Sequence, residues 1–197
     1  MKFRNLIFDF GGVICDFNRD TLIDAFCNDA EDHEKLKSAI FRDWDKLDAG
    51  ETNYFAYAAA TSALLPERLR PISERFFEQW PSKMPPMADT WALMARLKAE
   101  GYNVYILSNA PVIFEESIRA FPIVRLVDGI VISAPIRMSK PDKAIYAYAL
   151  KKFGIRPEES LFIDDNPVNA QAAKQVGMAG YAFDKDVDAL YRFIKEI

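Results

Sequence analysis

The chain has 197 residues, of which 50% are hydrophobic and 27% charged, and its formal net charge is −4. This length suits one globular core that carries a smaller insertion. No apolar run reaches the roughly 20 residues that span a bilayer, and the acidic balance offers no basic surface for nucleic acid. We therefore expect a cytoplasmic protein, either a monomer or a homodimer, that binds neither membranes nor nucleic acid.

Five short segments have the continuous apolar pattern of strands that are buried on both faces of a parallel sheet. They are residues 5–8, 103–107, 129–133, 161–163 and 180–183. Helical periodicity separates them, as at Tyr146, Ala149, Leu150 and Phe153, where Gly154 follows as a stop signal. This alternation predicts an α/β fold, a doubly wound, Rossmann-like parallel sheet of about five strands.

Residues 16–86 differ from the rest because they contain no convincing strand. Their periodic segments predict three or four helices, around residues 19–30, 33–43, 52–64 and 67–79. We expect a small helical-bundle cap inserted after strand one, with residues 1–15 and 87–197 forming the α/β core. Such a cap would lie at the carboxyl end of the strand, where open α/β sheets bind ligands.

Four polar stretches lie at strand ends or in the loops just beyond them. They are Asp9 with Gly11 and Gly12, Ser108-Asn109, Lys140-Pro141, and Asp164-Asp165-Asn166. Alone, each has an ordinary structural explanation: a strand-end acid, a helix cap, a loop lysine and a helix start. The acid pair is the hardest to explain in this way, because adjacent carboxylates repel without a cation.

Together, the four stretches match the needs of phosphoryl transfer. The carboxylate of Asp9 can attack phosphorus and carry a covalent intermediate. A Mg²⁺ ion needs hard oxygen ligands, which Asp9 and Asp164 or Asp165 can supply with a backbone carbonyl and water. Ser108 and Lys140 can donate to phosphate oxygens. The conjunction, in this order, favours a phosphate-processing site.

At these residues the chain resembles the haloacid dehalogenase-like (HAD) superfamily, in the phosphatase branch that includes α-glucose-1-phosphate phosphatase. The resemblance implies that Asp9 is the nucleophile and a metal ligand, and that the carbonyl of Gly11 also binds the metal. Lys140 would serve in catalysis. The remaining implied roles are phosphate binding by Ser108, Asn109 and Lys140, completion of the Mg²⁺ site by Asp164 and Asp165, and support by Asn169.

One position departs from the phosphatases of this superfamily. Most of them carry a second aspartate two residues after the nucleophile, as the general acid for the leaving group, but Gly11 stands there. Three explanations are open. The substrate has a good leaving group, such as an anomeric sugar phosphate or an acyl phosphate; another acid serves, from the cap or at Asp16; or the activity is weak.

We therefore predict a magnesium-dependent hydrolase that cleaves a small phosphorylated metabolite, such as a sugar phosphate, through an aspartyl-phosphate. One alternative is a 2-haloacid dehalogenase, whose halide leaves without a proton; the acid pair argues against it because that reaction needs no metal. The other is a weakly active or non-catalytic binding module, which only Gly11 supports.

The predicted cap contains further polar and aromatic residues. Its charged stretch is interpreted as a solvated loop near Gly50; it comprises Asp43, Asp45, Lys46, Asp48 and Glu51. Most of the cap aromatics are expected to form the core of the helical unit, and one or two to face the site and select the substrate.

Overall fold

Five parallel strands form one sheet, in the order β3-β2-β1-β4-β5. The computed structural model describes residues 3–196. The strands are β1 (Asn5–Phe8), β2 (Asn103–Ser108), β3 (Gly129–Ile132), β4 (Ser160–Asp164) and β5 (Ala179–Ala182). The predicted fold class is confirmed, and the predicted strand ends differ from these by at most one residue.

The register brings the ends of the three central strands to one level. Phe8, the last residue of β1, pairs with Ile106 of β2 on one side and with Ile163 of β4 on the other. The N–H of Asp9 donates to the carbonyl of Ile163 over 2.8 Å. Residues that follow these strands therefore meet at one edge of the sheet, where the strand order reverses direction and ligands bind in such folds.

Helices cover both faces of the sheet. They are α6 (Ala88–Ala99), α7 (Phe114–Ser117), α8 (Ser133–Ile136), α9 (Lys143–Phe153), α10 (Pro167–Ala173) and α11 (Val187–Glu196). Alternate residues of β1 face opposite sides: Leu6 and Phe8 belong to the hydrophobic cluster that includes α6 and α11. Ile7 belongs to the cluster that includes α9 and α10. This two-sided burial explains the continuous apolar pattern of the strands.

Between β1 and α6 the chain forms five helices. They are α1 (Arg19–Asp24), α2 (Ala30–Ile40), α3 (Trp44–Asp48), α4 (Tyr54–Leu64) and α5 (Arg70–Gln79). The predicted helix over 19–30 was too long because Asp29 begins a new one: its side chain accepts from the N–H of Asp32 at the start of α2. Helix α3 was missed, since five residues are too few to show a helical period.

The helical insertion leaves the core and returns to it at adjacent points. The N–H of Asp16 donates to the carbonyl of Pro85 over 2.8 Å, and the N–H of Met87 donates to the carbonyl of Ile14 over 3.0 Å. We call residues 16–86 the cap segment; their status as a separate domain stays a prediction.

Aromatic rings fill the cap segment and join it to the core. Trp44 lies 5.0 Å from Phe41 and 5.2 Å from Trp80, measured between ring centroids. Trp80 in turn stacks on Phe114 of α7 at 5.6 Å. Most aromatic residues of the cap segment are buried, which confirms that they form its core. The contact between Trp80 and Phe114 places the cap segment against α7. Among residues 3–196, no helix has the length and apolar character needed to cross a membrane.

Gly180 of β5 allows the strand to lie directly against α10. A Cβ atom at this position would collide with the backbone carbonyl of Ala170, which cannot turn away as a side chain could. We expect Gly180→Ala to lower the free energy of unfolding by about 3 kcal/mol, at the upper end of overpacking costs. The measurement is urea denaturation.

The matched control is Gly154→Ala. Gly154 has a φ of +67° and open space around its Cβ position, so the substitution costs only the left-handed backbone strain of about 1 kcal/mol. Equal losses for the two variants would show that the contact between β5 and α10 is not tight.

Candidate active site

Three of the predicted site residues lie at the carboxyl edge of neighbouring strands. Asp9 follows β1, Ser108 ends β2 and Asp164 ends β4. All three side chains are buried. The short strands, each stopped by a polar residue, place these groups together although the sequence separates them by up to 155 positions.

A buried ammonium joins two of these strand ends. Nζ of Lys140 lies 2.7 Å from Oδ1 of Asp9 and 2.7 Å from Oδ2 of Asp164. The Lys140 side chain is 1% exposed and that of Asp164 is fully buried. Charges removed from water to this extent are stable only when they are paired. Asp9, Lys140 and Asp164 therefore form one ionic unit.

The backbone of Lys140 is fixed by the side chain of Asn109. The Asn109 amide donates to the Lys140 carbonyl over 2.9 Å, and its oxygen accepts from the Lys140 N–H over 2.9 Å. This reciprocal pair ties the loop after β2 to the loop before α9. Both ends of the Asn109 amide are therefore engaged in positioning Lys140, and phosphate binding by Asn109 stays a prediction.

Asp164 is surrounded by donors on both oxygens. Oδ2 accepts a hydrogen bond from the Lys140 ammonium, and Oδ1 accepts from the N–H of Asn166 over 2.8 Å. Nδ2 of Asn169 lies 3.1 Å from each of the two oxygens. Asn166 also caps α10 through its own side chain. The strand end and the helix start thus hold Asp164 in a single orientation, with Asn169 as its support.

Asp165 is exposed, unlike Asp164. One oxygen from each of Asp9, Asp164 and Asp165 lies within 4.8 Å of the others. Gly12 permits this approach, because a side chain there would collide with the Asp165 carboxylate. Three carboxylates against one ammonium leave a net charge of −2 when all are ionised. The donor set, hard oxygens of matching charge, fits a Mg²⁺ ion.

Burial and neighbouring charges both shift the pKa values of the cluster. Burial raises the pKa of Asp9 to about 8; the Lys140 ammonium opposes this shift and Asp164 adds to it. Burial alone would lower the pKa of Lys140, but Asp9 and Asp164 outweigh it, so that pKa lies above its usual value. The pKa of Asp165 is raised by desolvation and by Asp164. A bound cation would favour the ionised carboxylates.

A cavity of about 410 Å³ opens above this cluster, between the core and the cap segment. From the core it is lined by predicted site residues: Asp9, Gly11, Ser108, Asn109, Asp165 and Asn169. From the cap segment it is lined by Phe17, Arg19, Trp44, Asp48 and Trp80. A larger cavity, of about 570 Å³, lies against α4, α5 and α7, and its lining among the described residues contains none of the predicted site residues.

Sequence reasoning missed two polar cavity residues, Arg19 and Asp48. The interpretation of Asp48 as part of a solvated charged loop is wrong: it lines the cavity, and its Oδ1 atom is buried. The interpretation holds for Asp43 in the same stretch, which pairs with Arg42 and Lys46 at the surface. No local pattern separates the two acids, because the difference arises from the docking of α3 against the core.

The ionic unit has a testable effect on stability. Lys140→Met leaves Asp9 and Asp164 buried without their counter-charge and raises the pKa of Asp9 further above the unfolded value of about 4. A carboxyl with a raised folded-state pKa stabilises the fold at low pH, and this contribution is lost as pH rises through that pKa. In EDTA, we expect a loss of about 3–5 kcal/mol at pH 8 and a smaller loss at pH 5.

The measurement is urea denaturation at both pH values. Lys143→Met is the control, since Lys143 is an exposed lysine at the start of α9 and should change stability by less than about 0.5 kcal/mol. A loss for Lys140→Met that is the same at pH 5 and pH 8 would contradict the electrostatic explanation.

Several known proteins are similar to this chain in sequence, in fold or in both. The sesquiterpene phosphatase astK of Aspergillus oryzae is 29% identical, over 90% of this chain and 88% of its own. The D-ribitol-5-phosphate phosphatase of Bacteroides thetaiotaomicron is 26% identical, over 94% of each chain. A HAD family enzyme of the same bacterium, solved with magnesium and inorganic phosphate, superposes with a TM-score of 0.70 at 22% identity, covering 93% of this chain and 96% of its own.

The family assignment rests on a match that covers most of the sequence. The family model described as haloacid dehalogenase-like hydrolase matches residues 3–177. This range includes the Asp9 loop, the cap segment, Lys140 and the Asp164-Asp165 pair. The chain belongs to the haloacid dehalogenase-like hydrolases.

Proposed function

We propose that this protein is a magnesium-dependent phosphomonoester hydrolase that works through an aspartyl-phosphate on Asp9. The observation that carries the proposal is the cluster of Asp9, Lys140, Asp164 and Asp165. Two of its members, Asp9 and Asp165, line the cavity. The two phosphatases similar to this chain, one for a sesquiterpene and one for ribitol 5-phosphate, support the same reaction class.

The hydrogen bonds of Asp9 distinguish its two oxygens. Oδ1 accepts from the N–H of Phe10 over 2.7 Å and lies 2.7 Å from the Lys140 ammonium. Oδ2 takes part in neither contact, so we assign it the attack on phosphorus. Lys140 holds the carboxylate in place and offsets its charge, while the buried floor keeps bulk water from the nucleophile.

The residues that would hold a Mg²⁺ ion are Asp9, Asp165 and the Gly11 carbonyl, with Asp164 either in direct contact or through water. When bound, the ion neutralises charge on the phosphoryl group. Asp165 is the best candidate for a direct protein ligand beside Asp9, because Lys140, Asn166 and Asn169 already satisfy Asp164.

The phosphate and the leaving group would occupy different parts of the cavity. Ser108 and Lys140 supply donors for the phosphate oxygens at the floor, with Asn109 holding the Lys140 loop. The leaving group would face the cap segment, where Phe17, Trp44 and Trp80 offer ring faces and Arg19 and Asp48 offer polar contacts. A volume of about 410 Å³ suits a small metabolite such as a sugar phosphate.

The reaction class is tested by a Mg²⁺-supplemented screen of phosphorylated metabolites and aryl phosphates. We expect Asp9→Asn to lower kcat by about 10⁴-fold or more, because it removes the nucleophile. The matched control is Asp89→Asn, an exposed acid in the first turn of α6, which should leave the rate unchanged. Wild-type turnover no higher than that of Asp9→Asn on every substrate would refute an enzymatic role.

The metal requirement is tested on the substrate found in that screen. We expect EDTA to abolish turnover and added Mg²⁺ to restore it. Asp165→Asn should raise the Mg²⁺ concentration for half-maximal activity by at least about 10-fold, because it removes one charged oxygen ligand. Full activity in EDTA, together with turnover of a 2-haloacid, would instead favour the dehalogenase alternative.

A further inference from the structure

The structure explains why position 11 is not readily occupied by an acid. A Cβ atom at Gly11 would lie 3.0 Å from Cβ of Phe17, closer than side chains normally approach. Phe17 cannot easily yield, because its ring packs against Trp44 at 6.0 Å and Trp80 at 5.8 Å. The space where the usual general acid would begin is thus filled by the aromatic core of the cap segment.

Asp48, from the cap segment, lines the same cavity as Gly11 and Phe17. It is the last residue of α3, and its carbonyl accepts from the hydroxyl of Ser133 at the start of α8. Ser133 also accepts from the N–H of Ala110, two residues after Ser108. Asp48 is thereby fixed to the loop that follows Ser108, although it belongs to the cap segment.

Asp48 is half-buried, and one of its two carboxyl oxygens has no hydrogen-bond partner among residues 3–196. This atom, Oδ1, is itself buried. Burial raises the pKa of Asp48 to about 8; Lys140 opposes the shift, Asp9 and Asp45 add to it, and Arg19 opposes it. A carboxyl with a buried oxygen that lacks a donor favours its neutral form, which carries a proton that it can give away.

We propose that Asp48 is the general acid of this hydrolase and replaces the aspartate that Gly11 lacks. The inference rests on the proposed phosphatase function and adds a catalytic residue to it. Asp48 lines the same cavity as Asp9 and Ser108 and belongs to the cap segment, which we assign to the leaving group. The proposal corresponds to the second explanation for the missing acid at Gly11, in which an acid of the cap segment protonates the leaving group.

The proton and electron pairs balance over two steps. In the first, Asp9 forms a bond to phosphorus, the bond from phosphorus to the leaving oxygen breaks, and that oxygen takes the proton of Asp48. The product alcohol departs, leaving an aspartyl-phosphate and an Asp48 carboxylate. In the second, water attacks phosphorus, the bond to Asp9 breaks, and Asp48 takes a proton from the water.

The test uses two aryl phosphates of similar shape, phenyl phosphate and p-nitrophenyl phosphate. The nitrophenolate departs without a proton, whereas phenolate is a poorer leaving group. We expect Asp48→Asn to lower kcat/KM by about 100-fold or more on phenyl phosphate and by less than about fivefold on p-nitrophenyl phosphate. Neither leaving group carries an aliphatic hydroxyl, so a role of Asp48 in binding a sugar cannot produce the difference.

The matched control is Glu51→Gln, an exposed acid three residues after Asp48, which should leave the ratio of the two kcat/KM values unchanged. That ratio is independent of the fraction of folded enzyme, so partial misfolding of a variant does not affect it. An equal loss on both substrates for Asp48→Asn would overturn the inference and leave the phosphatase proposal intact. Wild-type turnover no higher than that of Asp9→Asn on both aryl phosphates and on every metabolite of the screen would overturn the two proposals together.

Discussion

The ammonium of Lys140, buried between Asp9 and Asp164, is the interaction on which the rest of the site depends. Two carboxylates at adjacent strand ends would repel each other in a medium that screens charge poorly. The lysine makes their proximity possible, and Asn109 and Asn169 fix the lysine backbone and the second carboxylate in turn. Ion pairs and amide hydrogen bonds therefore fix the loops relative to the strand ends.

The same unit leaves a deficit of positive charge that accounts for the chemistry assigned to the site. One ammonium does not balance the carboxylates of Asp9, Asp164 and Asp165. Burial raises the pKa of Asp9, and the neighbouring charge of Asp164 adds to this shift. A cation and a phosphoryl group would satisfy each other and the cluster at once. Under the proposed function, a metal ion and a phosphate group would complete the charge balance that Lys140 begins.

The strands, the polar residues at their ends and the end of α9 were predictable from the sequence, because short local patterns encode them. Buried strands show as apolar runs, and the polar residue that stops each run marks the functional edge, as at Asp9 and Asp164. The end of α9 was also predicted correctly, because Gly154 adopts the left-handed conformation that ends the helix. What escaped prediction depends on contacts between distant segments. The Asn109 amide pairs with the backbone 31 residues away, and Asp48 differs from Asp43 only through the docking of α3.

The adjacent entry and exit of the cap segment, at Asp16–Pro85 and Ile14–Met87, have a consequence for how such proteins diversify. A segment whose two ends meet can be lengthened, shortened or exchanged without disturbing the sheet that carries it. Here that segment supplies the aromatic walls, Arg19 and Asp48. Under the proposed mechanism, exchange of this one continuous stretch of chain would alter substrate choice and proton delivery together, while Asp9 and Lys140 would stay unchanged.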